Sequence, residues 1–96
     1  MIVGEPIFEW DPANLKHIAR HRVSPHEVEE VMTNDPADLG YDVVEGEPRW
    51  TVIGHTRMVR VLVVVWTERN GRARVVAAWP APRKLREDYL RSKRIS

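Results

Sequence analysis

Arg86 and Tyr89 lie three residues apart, Arg72 and Arg74 two apart, and His17 and His21 four apart. On a helix, a separation of three puts Arg86 and Tyr89 at neighbouring positions of one face. On a strand, a separation of two puts Arg72 and Arg74 on one side of a sheet. Arginine stays charged and grips phosphate oxygens with a planar fork, while histidine and tyrosine can move protons. The chemistry such a set supports is the binding and reaction of a phosphate-rich polyanion, with RNA the best match. Each pair also has a plainer reading. Tyr89 could dock its helix in the core and leave Arg86 solvated. The two strand arginines could belong to a polar outer face. His21, near a helix end, would favour the negative pole of the dipole when protonated. The two histidines have zinc-ligand spacing, but no motif places a third ligand, so no metal and no other cofactor is expected.

The charge distribution points the same way. The net charge is only +1, yet residues 1–48 carry eleven acidic groups against three basic ones, a balance of −8. Residues 49–96 carry twelve basic groups against three acidic, a balance of +9. Such a split suggests a polyanionic or acidic partner, or attraction between the two halves across the fold. The last stretch, with Arg83, Lys84, Arg86, Arg91, Lys93 and Arg94 against Glu87 and Asp88, is either a phosphate-binding surface or a solvated face.

Ninety-six residues predict a single domain over 1–96 with one core. The absence of cysteine removes disulfide scaffolds and thiol chemistry, and fits a reducing compartment, the cytoplasm by default. The longest apolar run, residues 61–66, is far short of the ~20 residues needed to span a bilayer. No membrane association is expected.

The elements that must position these side chains have clear punctuation. Residues 7–10 alternate as a short strand and stop at Asp11-Pro12, where Asp11 can cap a helix and Pro12 open it. That helix should run to Arg20 or His21 and bury Leu15, Ile18 and Ala19, with Trp10 and Leu15 as a staple. Ser24-Pro25-His26-Glu27 starts a second helix with a capping box, Glu27, Glu29 and Glu30 facing mostly outward, and Asn34-Asp35-Pro36 ends it. Four strands follow, around 38–43, 49–54, 58–67 and 72–79, with Asn70-Gly71 a strong hairpin turn. The run 61–66 is apolar on both faces and predicts a central strand. Pro80 and Pro82 close the last strand, and 83–94 forms a basic helix. The fold class is therefore α+β: a compact antiparallel meander with an N-terminal helical hairpin and a C-terminal helix. Trp50, Trp66 and Trp79 fall on strands, where tryptophan usually packs in a core but can stack on bases.

The order and spacing of certain residues resemble the BrnT-type toxins. They are Phe8-Glu9-Trp10-Asp11, Asn14-Leu15, His17, His21, Val23-Ser24, Glu27, Glu30-Val31 and Asp35-Pro36. The series continues with Gly46-Glu47, Arg49, Ile53-Gly54, the 62–65 strand, Gly71, Arg74 to Ala78, Arg86 and Tyr89. The resemblance spans roughly residues 7–90. It implies a RelE-like fold and a ribonuclease toxin of a type II toxin–antitoxin pair that inhibits translation. It also implies a BrnA-type antitoxin with a ribbon-helix-helix pattern, and operator DNA bound only as the toxin–antitoxin complex.

RNA cleavage without a metal asks little of a protein. The ribose 2′-OH attacks its own phosphate, and the enzyme orients it, stabilises charge and assists proton transfer. On this reading the catalytic candidates are Arg86, Tyr89, Arg74, His17 and His21. Arg72, Arg83, Lys84 and Trp79 would hold the RNA. Two positions depart from the family pattern: Trp79 stands where it has arginine, and Leu85 where it has glutamate. The alternative is a catalytically weakened binding module of the same fold, acting through antitoxin or nucleic acid. An interaction domain without nucleic acid is a third reading.

Overall fold

The computed structural model of the chain describes residues 6–94. Two capping boxes set the helical start. Asp11 and Asn14 exchange backbone-to-side-chain hydrogen bonds at 2.9 and 2.7 Å, opening helix α1 (Pro12–Ala19). Ser24 and Glu27 do the same at 3.1 and 3.0 Å, opening α2 (Pro25–Met32). Proline follows each cap, where its missing N–H costs nothing. Strand β1 (Phe8–Glu9) precedes these helices. Strands β2 (Ala37–Val44), β3 (Glu47–His55), β4 (Val61–Arg69) and β5 (Arg72–Pro80) and helix α3 (Arg83–Ser92) follow.

The five strands form one sheet in the order β1-β5-β4-β3-β2. The meander from β2 to β5 is antiparallel as expected, with β4 inside it, but the sheet as a whole is mixed. β1 pairs parallel with β5, Phe8 opposite Ala73 and Glu9 opposite Arg74. Two residues carry no periodic signal, which is why the pairing direction could not be read from them.

Each face of the sheet has its own apolar cluster. Val52, Leu62, Val64, Val75 and Ala78 pack against Ile18, Val23, Val28 and Val31 from the helical hairpin. Ile53, Val61 and Val63 pack on the other side against Ala81 and Tyr89, with Trp79, Leu85 and Leu90 at the margin. β4 thus contributes alternate residues to both cores, as its uninterrupted apolar run requires.

Three expectations are corrected. Leu15 is 36% exposed and Ala19 is exposed, so of the three residues expected inside α1 only Ile18 is buried, joined by Asn14. Asn14 goes inward because its side chain is fully used, closing the cap and donating from Nδ2 to the Glu9 carbonyl at 3.1 Å. The α2 glutamates do not simply face outward: Glu27 holds Arg60 at 2.8 Å, Glu29 accepts from the Trp10 indole at 2.8 Å, and Glu30 accepts from the Arg57 backbone N–H at 3.0 Å. The strand expected from residue 58 begins at Val61. Residues 56–60 form a turn closed by Val59 N–H to Thr56 O at 2.8 Å, and Met58 stands 89% exposed.

Gly54 lies where α2 presses on β3. A Cβ there would meet Val31 Cγ1 at 2.8 Å and the Val31 carbonyl at 3.3 Å. Overfilling a packed contact costs about 1–3 kcal/mol. Gly54→Ala is expected to lower the thermal midpoint by several degrees, measured by circular dichroism, whereas Gly40→Ala, with nothing within 4 Å, should not.

Candidate functional site

The alternation along β5 is broken once, and the break decides where its arginines point. Val65 pairs with Ala77, yet Trp66 pairs with Val75, so Val76 is an extra residue in β5. A bulge of this kind shifts the following side chains to the opposite face. On its C-terminal side, Ala78 lies on the side of α1 and α2. On its N-terminal side, Val75 and Ala73 take that side, and Arg74 and Arg72 turn to the other, opposite Thr67 and Arg69 of β4. α3 covers the far end of that face through Val61, Val63 and Ile53. It does not reach the end near the β4–β5 turn.

That end holds an open cleft of about 300 Å³. Its charged lining is Arg49 and Glu47 from β3, Arg69 from β4 and Arg74 from β5, with Ala13, Asn14 and His17 of α1 as the side wall. α1 can form that wall because β1 ends after two residues and the helix then packs against β5. Arg74 is held from behind: its Nη1 donates to Asp11 at 2.5 Å and to Glu9 at 3.1 Å. Glu47 similarly tethers Arg49 at 3.1 Å and stands 4.0 Å from Arg69. Three guanidinium groups thus line one small basin, each oriented by a carboxylate.

The carboxylates respond to this arrangement. The Asn14 backbone N–H, then the Arg74 fork, holds the Asp11 carboxyl below its ordinary value, and Arg74 is pushed further up by the same contact. Burial pushes Glu27 up, but hydrogen bonds from Arg60 and Ser24 outweigh it and leave that carboxyl lowered too. A carboxyl whose acidity is strengthened by folding stabilises the protein above its unfolded pKa and loses that contribution as pH falls through the folded one. Stability is therefore expected to be level near neutrality and to fall on acidification below the ordinary values of 3.8 for Asp11 and 4.5 for Glu27. Urea melts from pH 7 to 3 test this, and Asp11→Asn should flatten the acid limb.

The residues expected from sequence are divided between two places. Arg74 and His17 line the cleft. Arg72 is exposed on the same sheet face, beyond the cleft lining. His21 is exposed just after α1, its backbone N–H donating to the Ile18 carbonyl at 3.1 Å. Arg83 and Lys84 are about 85% exposed and pair within α3 with Glu87 and Asp88 at 3.2 and 3.1 Å. Arg86 and Tyr89 do not share a surface: Arg86 is exposed, whereas Tyr89 is 4% exposed, its hydroxyl 2.7 Å from His55 Nδ1. Trp79 and Leu85, the two departures, both lie in the apolar cluster beneath α3.

Sequence does not mark Arg69 as a site residue, and Asn14, Arg49 and Glu47 enter only through the family pattern. No linear motif joins residues 14, 49, 69 and 74; strand register aligns the three arginines, and α1 brings Asn14 beside them. His55 carries no sequence signal for a site either. It touches Tyr89, and Asn34 Nδ2 donates to its carbonyl at 3.3 Å. Among the described residues, no three His, Cys, Asp or Glu side chains are grouped to hold a metal ion, and no helix is long and apolar enough to cross a membrane. Residues 10–84 match the family model described as the ribonuclease toxin, BrnT, of type II toxin–antitoxin systems. Comparison with curated proteins gives no match.

Proposed function

Because the chain belongs to the BrnT family of ribonuclease toxins of type II toxin–antitoxin systems, with RNA as substrate and an antitoxin as partner, we propose that it cuts RNA in the arginine cleft by metal-independent acid–base chemistry. The observation that carries this reading is the convergence of Arg49, Arg69, Arg74 and His17 on one basin. A phosphate seated there would meet guanidinium donors whose charge is fixed before the reaction, the arrangement that stabilises developing charge without reorganisation. His17 takes the proton from the ribose 2′-OH. The 2′-oxygen bonds to phosphorus, the bond to the 5′-oxygen breaks, and the proton is returned to that leaving oxygen. The products are a 2′,3′-cyclic phosphate and a free 5′-OH. Arg72, Arg83, Lys84 and Arg86 contact flanking phosphates, and Trp79 borders that track.

The chain acts as a single domain over 1–96, and loss of RNA inhibits translation. A BrnA-type ribbon-helix-helix antitoxin neutralises it, and the pair binds operator DNA. The test uses purified chain and a synthetic RNA with EDTA present. Cleavage to cyclic-phosphate ends is expected, together with growth arrest when the gene is induced without its partner. Intact RNA from folded protein would refute the mechanism.

One observation favours a second reading, a binding module with weakened catalysis. Trp79 and Leu85, which stand at the positions of the family's arginine and glutamate, are apolar and pack in the same cluster. Trp79→Arg separates the two, because a gain of nuclease activity would identify a decayed site.

A further inference from the structure

The sheet has one long open edge. β2 pairs with β3 on one side and with no strand on the other among the described residues. From Asp38 to Val44 every residue is exposed, including Leu39 at 44%, Tyr41 at 60% and Val43 at 52%. Proteins usually blunt such an edge with charged side chains, lysine above all, with proline or with a bulge, because its free N–H and C=O groups invite another strand. The only charges on β2 are Asp38 and Asp42. β2 contains neither lysine nor proline, and its register is irregular only between Asp38 and Gly40. Tyr41 also begins a row of rings crossing three strands, 5.5 Å from Trp50, which lies 4.8 Å from Trp66.

Charge selects what can pair here. No lysine or arginine occurs between Arg22 and Arg49. Asp38, Asp42 and Glu45 are exposed and make no ion pair among the described residues. RNA would be repelled, and a second copy would bring like carboxylates together. We propose that β2 is the docking strand for a basic, extended segment of the partner antitoxin. That segment adds a sixth strand, laying apolar side chains beside Tyr41 and Val43 and cations beside Asp38, Asp42 and Glu45. The inference rests on the toxin–antitoxin reading and locates the contact away from the arginine cleft.

Hydrogen exchange on the purified chain, alone and with its antitoxin bound, decides the matter. Amides from residues 38 to 44 are expected to exchange more slowly in the complex. The double variant Asp38→Lys with Asp42→Lys should bind the antitoxin at least about fivefold more weakly, with a reversed salt dependence. Its RNA cleavage without antitoxin should match that of the parent chain. Unchanged β2 exchange in the complex overturns the proposal, whatever the affinities, as does undiminished binding by the double variant. A chain that leaves RNA intact would remove the nuclease mechanism alone, since exchange does not depend on cleavage.

Discussion

Arg74→Ala is expected to slow RNA cleavage by about 10²–10³-fold, the loss seen when one fixed donor to a developing charge is removed. Arg74 is the group most firmly aimed at the basin, because Asp11 and Glu9 both hold its Nη1 and its surroundings raise its pKa further. Those contacts also fasten β1 and the cap of α1 to β5, so the variant leaves two facing carboxylates without their shared cation. Stability will fall as well, and rates must be compared at a temperature where circular dichroism reports equal folding. Arg74→Lys keeps the charge but loses the fork, and should recover stability more fully than rate. Arg86→Ala is the matched control from α3. Loss in Arg74→Ala with little in Arg86→Ala places the chemistry in the cleft; the reverse moves it to the helix.

Tyr89→Ala should have the largest effect on stability, about 3–5 kcal/mol, as for other buried aromatic residues. A domain this small has only about 5–15 kcal/mol in total, so much of the population would unfold at growth temperature. Tyr89 joins α3 to the sheet beside Ile53, Val61 and Val63, and its hydroxyl meets His55. Burial raises its pKa, with Lys93 opposing the shift, so the phenol stays protonated at neutral pH. Tyr89→Phe removes only the hydrogen bond and should cost about 0.5–1.5 kcal/mol in a denaturant titration. Folded Tyr89→Phe is expected to cleave RNA at the parental rate. A drop beyond tenfold would make the hydroxyl part of the reaction rather than of the packing.

Local chemistry was the most legible part of this chain. Asp11-Pro12 and Ser24-Pro25 announce their helices because cap and first-turn residues act over three or four positions. Val61 to Trp66 announces a central strand because both its faces are apolar. What lay beyond reach depends on register. Arg72, Arg74 and Val76 alternate in sequence as though they shared a face, but the bulge at Val76 breaks the count. Arg49 and Arg69 join Arg74 only once three strands are aligned. Met58 and Val59 look like strand residues, yet Val59 sits at a φ of 60°, in a turn that a β-branched side chain seldom occupies. Asn14 reads as a surface helix residue until its cap partner is known. The charge split was resolved partly within the fold. Arg74 with Glu9 and Asp11, Arg60 with Glu27, and Lys93 with Asp35 all join the basic half to the acidic one.

The parallel contact between β1 and β5 ties residue 8 to residue 73. Closing a loop of that size carries a larger entropy cost than forming the hairpins between, so the hairpins are expected to form before the N-terminal piece docks. During synthesis, the helix bearing His17 leaves the ribosome early, whereas β5, which carries Arg74, is the last strand to emerge. An unfinished chain therefore lacks the Arg74 side of the basin, and on the proposed reading it is expected to be inactive until that strand is in place.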